Sequence, residues 1–176
     1  MTKNDKRRTV MVKGQKVHFT YFDPKDISIQ FDQITSVGVV LFTTDKNLVA
    51  VELDRGLDIP GGHVQHQDNS ILDTAKREAL EEAYAIIKDV KLIQIIQSDY
   101  YGSKPDQLTY LVTVAAIVET LLPFEPNKES RSRHVSSPRK FIERYEAGPS
   151  DGMRKVIAKA INVLFDSDGG YDEGSG

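Results

Sequence analysis

Four side chains in a six-residue run could do chemistry together: Arg77, Glu78, Glu81 and Glu82. They stand in the stretch from Ile71 to Ala83, which is rich in helix formers and free of Gly and Pro. On a wheel of about 100° per residue with Glu78 at zero, Ile71, Leu72, Ala75, Ala79, Ala83 and Ile86 fill an apolar arc from roughly 20° to 140°. Glu82 lands at about 40°, inside that arc, with Glu78 at its edge. A solvated face laced with i,i+4 pairs is the ordinary explanation of such a run, and Arg77 with Glu81 fits it. Glu82 does not, because a carboxylate among alanines and isoleucine needs a partner. Glu78 and Glu82, one turn apart, point the same way and can share a divalent cation. Carboxylate oxygens suit Mg2+ or Mn2+, ions that also bridge substrate phosphates.

The elements that must position these groups lie just upstream. Leu57 to Ile59 reads as a short strand, and Pro60-Gly61-Gly62 as a turn in which the glycines bring backbone close to a ligand. An ordinary turn would look the same. Ser70 and Asp73 fit a capping box that starts the helix.

Together these residues resemble the Nudix box, G-x(5)-E-x(7)-R-E-U-x-E-E-x-G-U, with U a bulky apolar residue. Gly62 matches the opening glycine, Arg77-Glu78-Ala79-Leu80-Glu81-Glu82 matches the R-E-U-x-E-E core with Ala as a small U, and Leu57 to Val64 leads in as the family does. The resemblance implies an α/β fold, an α/β/α sandwich with a mixed β-sheet. It implies a hydrolase of a nucleoside diphosphate linked to a moiety X, foremost a nucleoside triphosphate or related nucleotide, with RNA 5′ ends and sugar nucleotides also open. Water would attack a phosphorus of the diphosphate, with Mg2+ (or Mn2+) held by Glu78, Glu82 and Glu81. Glu81 or Glu129 would act as base, Arg77 would orient Glu81 by an ion pair, and Gly61 and Gly62 would lie close to the phosphates. Glu129 is matched to a family Glu by its place five residues before His134-Val135, and a solvated loop acid is its plain alternative.

The box departs from the pattern at three points. Its first Glu is missing and its spacing carries one extra residue: Asp68 keeps the distance from Gly62 and Asn69 the distance to Arg77. Gln65 stands where many members place another Glu. Tyr84 replaces the closing glycine, where the left-handed conformation costs other residues about 1 kcal/mol or more, so a reshaped helix exit is expected. These departures favour a second reading, a catalytically weak Nudix-fold domain that binds or senses a nucleotide. The intact Arg77-Glu78 and Glu81-Glu82 pairs favour the enzyme. The lack of cysteine counts against a third, an isoprenoid diphosphate isomerase on the same scaffold.

The 176 residues suffice for one domain with a full core. A net charge of −3 gives no whole-chain pull toward nucleic acid or an anionic membrane. A phosphate-bearing ligand must be drawn by metal and local Lys or Arg. The absence of cysteine excludes disulfides, thiolate metal sites and cysteine nucleophiles. The basic start, MTKNDKRR, is followed by no apolar signal core, and no stretch approaches membrane-helix length, so a cytoplasmic protein is expected.

In chain order, residues 1–8 are expected to be disordered, a single domain to span 9–166, and the polar tail 167–176 to be disordered. Val10–Val12 and Val17–Phe22 read as a hairpin whose edge could pair two copies into a homodimer. His18 reads as a sheet-face residue. Asp23 to Asp26 is a turn. Strands are predicted at 36–43, 48–53, 90–97 and 107–118, and apolar residues on both faces of the first and last call for covering layers on both sides. Arg55 fits two roles, beside a bound phosphate or paired with Asp54. Tyr100 and Tyr101 could stack on a nucleobase or pack at a strand end. Residues 123–137 form a polar loop in which Arg131 and Arg133 could meet phosphate oxygens. A short helix opens at Ser137-Pro138, and a final one is capped by Ser150, with an apolar stripe from Met153 to Phe165.

Overall fold

The computed structural model describes residues 6–12, 14–99 and 108–166. Strands β1 (Lys6–Val12) and β2 (Gln15–Phe22) form the expected hairpin, with Val12 opposite Gln15. Single 3-10 turns at Pro24–Asp26 and Phe31–Gln33 lead into β3 (Ile34–Phe42), followed by β4 (Leu48–Leu53), β5 (Gly56–Asp58) and β6 (Gly61–His63). Helix α1 (Ile71–Ala83) is followed by two long strands, β7 (Ala85–Ser98) and β8 (Thr109–Leu121). The chain then adds β9 (Ser132–Ser136), α2 (Pro138–Arg144) and α3 (Ser150–Leu164).

Among the described residues the sheet runs β1-β2-β7-β8-β3-β4-β5, with β6 paired to β3 and β9 to β4. The β3–β8 pair is parallel and the others are antiparallel, so the sheet is mixed. The doubly apolar strands are covered on both faces, as their patterns require. Val37, Val39, Leu41, Ile95, Val112 and Val114 meet Ala75, Ala79 and Ala83 of α1 on one face. The alanines let the helix sit close to the sheet. On the other face Val40, Phe42, Leu48, Ile93 and Ala115 meet Phe141 of α2 and Ile157, Ala160 and Leu164 of α3. No helix among the described residues is long and apolar enough to cross a membrane.

Several expectations are corrected. Strand β1 begins at Lys6, so three residues expected to be disordered are paired in the hairpin. Pro60-Gly61-Gly62 is no sharp turn: Gly61–His63 is a strand antiparallel to β3. Ile86, placed on the helix's apolar arc, belongs to β7 and is exposed, as is Leu72. Strand β7 starts at Ala85 and not Val90, because β8 runs on to Leu121 and pairs with it. The loop 123–137 contains β9, a polar strand without the alternation that marks strands in sequence, recruited by the free edge of β4. Pro149, not Ser150, is the residue at the N-cap of α3.

Candidate active site

Helix α1 starts at Ser70, whose Oγ accepts the Asp73 N–H at 3.1 Å. The Asp73 carboxylate reaches back to the Asn69 N–H at 3.0 Å, one residue short of the position a capping box would use. The helix then buries Glu78 (4% exposed) and Glu82 (6%) beside its alanine face, as the wheel required.

Arg77 ties the site together. Its Nε and Nη2 donate to Asp68 at 3.1 and 2.9 Å, its Nη1 to Glu78 at 2.9 Å and Glu81 at 3.1 Å, and Nη2 also to the His63 carbonyl at 2.9 Å. The expected Arg77–Glu81 pair is therefore one spoke of four. Asp68, buried in the loop ahead of α1, also accepts from Gln65 N–H and Thr74 Oγ1, both at 3.0 Å. The Arg77 hydrogen bonds, against the cost of burial, hold its carboxyl down at about 2. Its role was not assigned from sequence; the signal was its conserved distance from Gly62 where the box Glu was missing.

The glycines matter for space. A Cβ on Gly62 would lie 2.7 Å from Glu78 Cδ, and one on Gly61 would lie 2.7 Å from the Val37 carbonyl oxygen. Gly61 also donates its N–H to Glu82 Oε2 at 3.2 Å. Burial pushes the Glu82 carboxyl up to about 7, helped by the charge of Glu78 and opposed by the Gly61 N–H. Burial raises Glu78 as well, against the pull of Arg77.

Glu129 reaches the same place from a distant loop. Carboxylate oxygens of Glu78, Glu81 and Glu129 lie within 4.8 Å of one another. Asn127 and Ser130 pin that loop to the end of α1: Asn127 Nδ2 donates to the Glu81 carbonyl at 3.3 Å, and Ser130 Oγ to the Glu82 carbonyl at 2.7 Å. Neither residue carried a recognisable signal in sequence. Glu82 lies outside that group of three. The donor set is all carboxylate oxygen, and burial disfavours the charge of its member Glu78, so a hard divalent cation such as Mg2+ or Mn2+ fits it.

A family model for the NUDIX domain matches residues 32–156. The chain belongs to the Nudix family. No curated protein matches the sequence. Among solved structures it has the Nudix hydrolase fold of a point mutant of the Bacillus subtilis pyrophosphohydrolase BsRppH, at 19% identity and TM-score 0.63, over 89% of this chain and 94% of that one. It also resembles the NUDIX domain of Shewanella oneidensis NrtR, solved with ADP-ribose, at 14% identity and TM-score 0.54 over 80% and 94%. A third match is an ADP-ribose pyrophosphatase from Streptococcus suis, at 17% identity and TM-score 0.50 over 70% and 88%.

The departures from the Nudix box leave its frame standing. Tyr84 takes the left-handed conformation itself (φ 51°, ψ 43°), and its N–H bonds the Leu80 carbonyl at 3.1 Å, so the Nudix helix ends without the expected reshaping. Its ring packs edge-on against Phe124 at 5.4 Å. Arg133 does not face an open phosphate site. It donates to the carbonyls of Ala83 at 3.0 Å and Leu122 at 2.8 Å, a cation at the helix C-terminus. Arg131 pairs with Asp54 at 2.5 Å, and Arg55 pairs through Nε with the buried Asp58 at 2.7 Å, not with Asp54. Arg55 still lies close enough to Glu82 for its charge to favour that carboxylate. Tyr100 and Tyr101 lie outside the described residues.

Proposed function

We propose that this Nudix protein is a divalent-metal-dependent hydrolase of a nucleoside diphosphate linked to a moiety X, with a nucleoside triphosphate or related nucleotide as working substrate. The observation that carries the reading is the convergence of Glu78, Glu81 and Glu129 within 4.8 Å, beside the buried Glu82. The structural relatives, a pyrophosphohydrolase, a domain solved with ADP-ribose and an ADP-ribose pyrophosphatase, support a diphosphate linkage as the point of cleavage.

Glu78, Glu82 and Glu81 would hold Mg2+ or Mn2+. Such an ion, when bound, neutralises phosphate charge and acidifies water. The chain's own groups do the rest. Arg77 fixes Glu78 and Glu81 before substrate arrives, so little reorganisation is left for the reaction. Glu81, with its side chain 45% exposed, takes the proton of the attacking water, and Glu129 is the second carboxylate in reach. Gly61 and Gly62 keep bare backbone beside the carboxylates: a side chain on Gly62 would displace Glu78, and one on Gly61 would meet the backbone of β3. Arg55, with its side chain 53% exposed beyond the Asp58 bond, meets a substrate phosphate. Tyr101 is assigned to base stacking by residue type.

The test is a phosphate-release screen with Mg2+ or Mn2+ across nucleoside triphosphates, dinucleoside polyphosphates, ADP-ribose and 5′-triphosphorylated RNA. Metal-dependent turnover that disappears in Glu82→Gln and Glu78→Gln is expected. Equal inactivity of wild type and variants, with nucleotide binding retained, would replace the hydrolase by a nucleotide sensor.

A further inference from the structure

Asp58 is a buried acid in an apolar neighbourhood. Its cross-strand partner is Val51, on the face of the sheet that α1 covers, and Val49, Val51 and Leu53 of β4 are all buried there. Asp58 itself is 8% exposed. A carboxylate in such surroundings lowers stability unless it is paired and hydrogen-bonded, and an apolar residue would serve the packing better. Its charge therefore calls for a use beyond the core.

Both of its oxygens are engaged. Oδ1 accepts the Ile59 N–H at 2.7 Å, which fixes the carboxylate against its own backbone, and Oδ2 accepts Arg55 Nε at 2.7 Å. Arg55 stands in the two-residue turn, Asp54-Arg55, that joins β4 to β5. Asp58 grips it at Nε alone. Nη1 and Nη2 of Arg55 make no hydrogen bond or ion pair among the described residues. The neighbouring acid, Asp54, does not compete for them, because Arg131 takes it at 2.5 Å. The guanidinium is on the side of the candidate active site. Its charge favours ionised Glu82, whose Oε2 accepts the Gly61 N–H three residues beyond Asp58. A guanidinium held at Nε keeps its Nη1–Nη2 fork, an edge that matches two oxygens of one phosphate.

We propose that Asp58 is a positioning residue for the candidate active site: it holds Arg55 by Nε so that the free fork meets a phosphate of the diphosphate linkage. The inference rests on the hydrolase reading for the ligand, and on hydrogen-bond geometry for the role of Asp58. Asp58 does not touch the substrate. It fixes in advance a long side chain that would otherwise lose its rotamer freedom on binding.

The test reads binding apart from turnover. Binding is followed by fluorescence anisotropy of mant-labelled α,β-methylene-ADP with Mg2+, a probe whose P–C–P bridge is not hydrolysed. In Asp58→Asn the amide oxygen keeps the Ile59 N–H and the NH2 group then faces Arg55 Nε, donor against donor. This variant is expected to bind the probe about 10-fold more weakly. KM for the substrate found by the phosphate-release screen should rise in parallel, with kcat little changed. In an Arg55→Ala background the sign should reverse: Asp58→Asn improves binding, because it removes an unpaired carboxylate near the phosphates. A role in the fold alone would weaken binding in both backgrounds. Arg55→Lys leaves Asp58 untouched but commits its single ammonium to that carboxylate, and should weaken binding by about as much as Asp58→Asn. Wild-type affinity in Asp58→Asn or Arg55→Lys, equal weakening in both backgrounds, or no binding of the probe by wild type would overturn the proposal. If the binding pattern holds while no substrate is hydrolysed, the positioning role stands and the hydrolase reading falls. Turnover that Asp58→Asn leaves at the wild-type KM does the opposite.

Discussion

Arg77 and Asp68 grip each other side-on, Nε to Oδ1 at 3.1 Å and Nη2 to Oδ2 at 2.9 Å, with side chains 13% and 3% exposed. This contact ties the loop before α1 to the helix and leaves Nη1 for Glu78 and Glu81. Asp68 thus serves as an anchor at the point where the box pattern lacks its first Glu. Neutralising Asp68 removes the side-on partner of a buried guanidinium and leaves Arg77 with Glu78 and Glu81 alone.

Asp68→Asn is therefore expected to cost about 3 kcal/mol, a fall of about 6–12 °C in melting temperature for a chain of this size. Turnover should fall as well, since Glu78 and Glu81 lose their fixed arginine. The pH dependence has a definite sign. Asp68 is held down from 3.8 to about 2, so its contribution is complete above 3.8 and is lost as pH falls toward 2. Urea unfolding between pH 5 and 2 should show a steeper acid loss in wild type than in the variant. Parallel acid profiles would mean that the pair contributes nothing.

The two box glycines separate stability from activity. An added methyl at Gly61 meets backbone of β3, with Val37 O at 2.7 Å and Gly38 Cα at 2.8 Å, and neither can move without parting the strands. Gly61→Ala should cost about 1–3 kcal/mol. At Gly62 the three atoms nearest the methyl all belong to the end of the Glu78 side chain, which can swing where backbone cannot. Gly62→Ala should melt close to wild type, within about 1 kcal/mol, yet lose metal-dependent turnover because Glu78 is pushed aside. Thermal melts and phosphate release on the same two proteins check both halves, and an active Gly62→Ala would detach Glu78 from the chemistry.

What was legible in the sequence follows from where information is local. Helical spacing alone placed Glu82 among Ala75, Ala79 and Ala83, and the structure buries it there. The apolar strands β3 and β8 announced a sheet covered on both faces. The partners of Arg55, Arg131 and Arg133 were not legible, since each depends on a turn or carbonyl that only the fold brings near. Strand β9 was hidden for the same reason: its pairing with β4, not its composition, makes it a strand. Glu129 could be guessed by its distance from His134-Val135, but Asn127 and Ser130, which hold its loop on α1, follow no periodicity.

Tyr84 keeps a left-handed turn that glycine would adopt more cheaply, and it packs on Phe124. The two effects nearly cancel: glycine recovers about 1 kcal/mol of backbone strain, and loss of the ring pair costs about 0.5–1.5 kcal/mol. Tyr84→Gly alone should thus change stability little. In a Phe124→Ala background the ring contact is already gone, and the same substitution should stabilise. Urea unfolding of the four proteins gives the coupling directly, and an identical effect of Tyr84→Gly in both backgrounds would rule the ring contact out as the compensation.

Glu82 should make metal binding depend on pH in a predictable direction. Burial raises its carboxyl from 4.5 to about 7, so the metal-free fold loses stability as pH rises through that window and the group ionises. A bound cation favours the ionised form and reverses this cost, and the raised Glu78 acts in the same direction. The increase in melting temperature on adding Mg2+ should therefore be small at pH 5, grow through neutrality and level off above about 7. Glu82→Gln, which cannot ionise, should flatten that growth and melt higher than wild type in EDTA at pH 8. A magnesium shift that is constant from pH 5 to 8 in wild type would remove Glu82 from the ligands of the ion and leave Glu78, Glu81 and Glu129 to hold it.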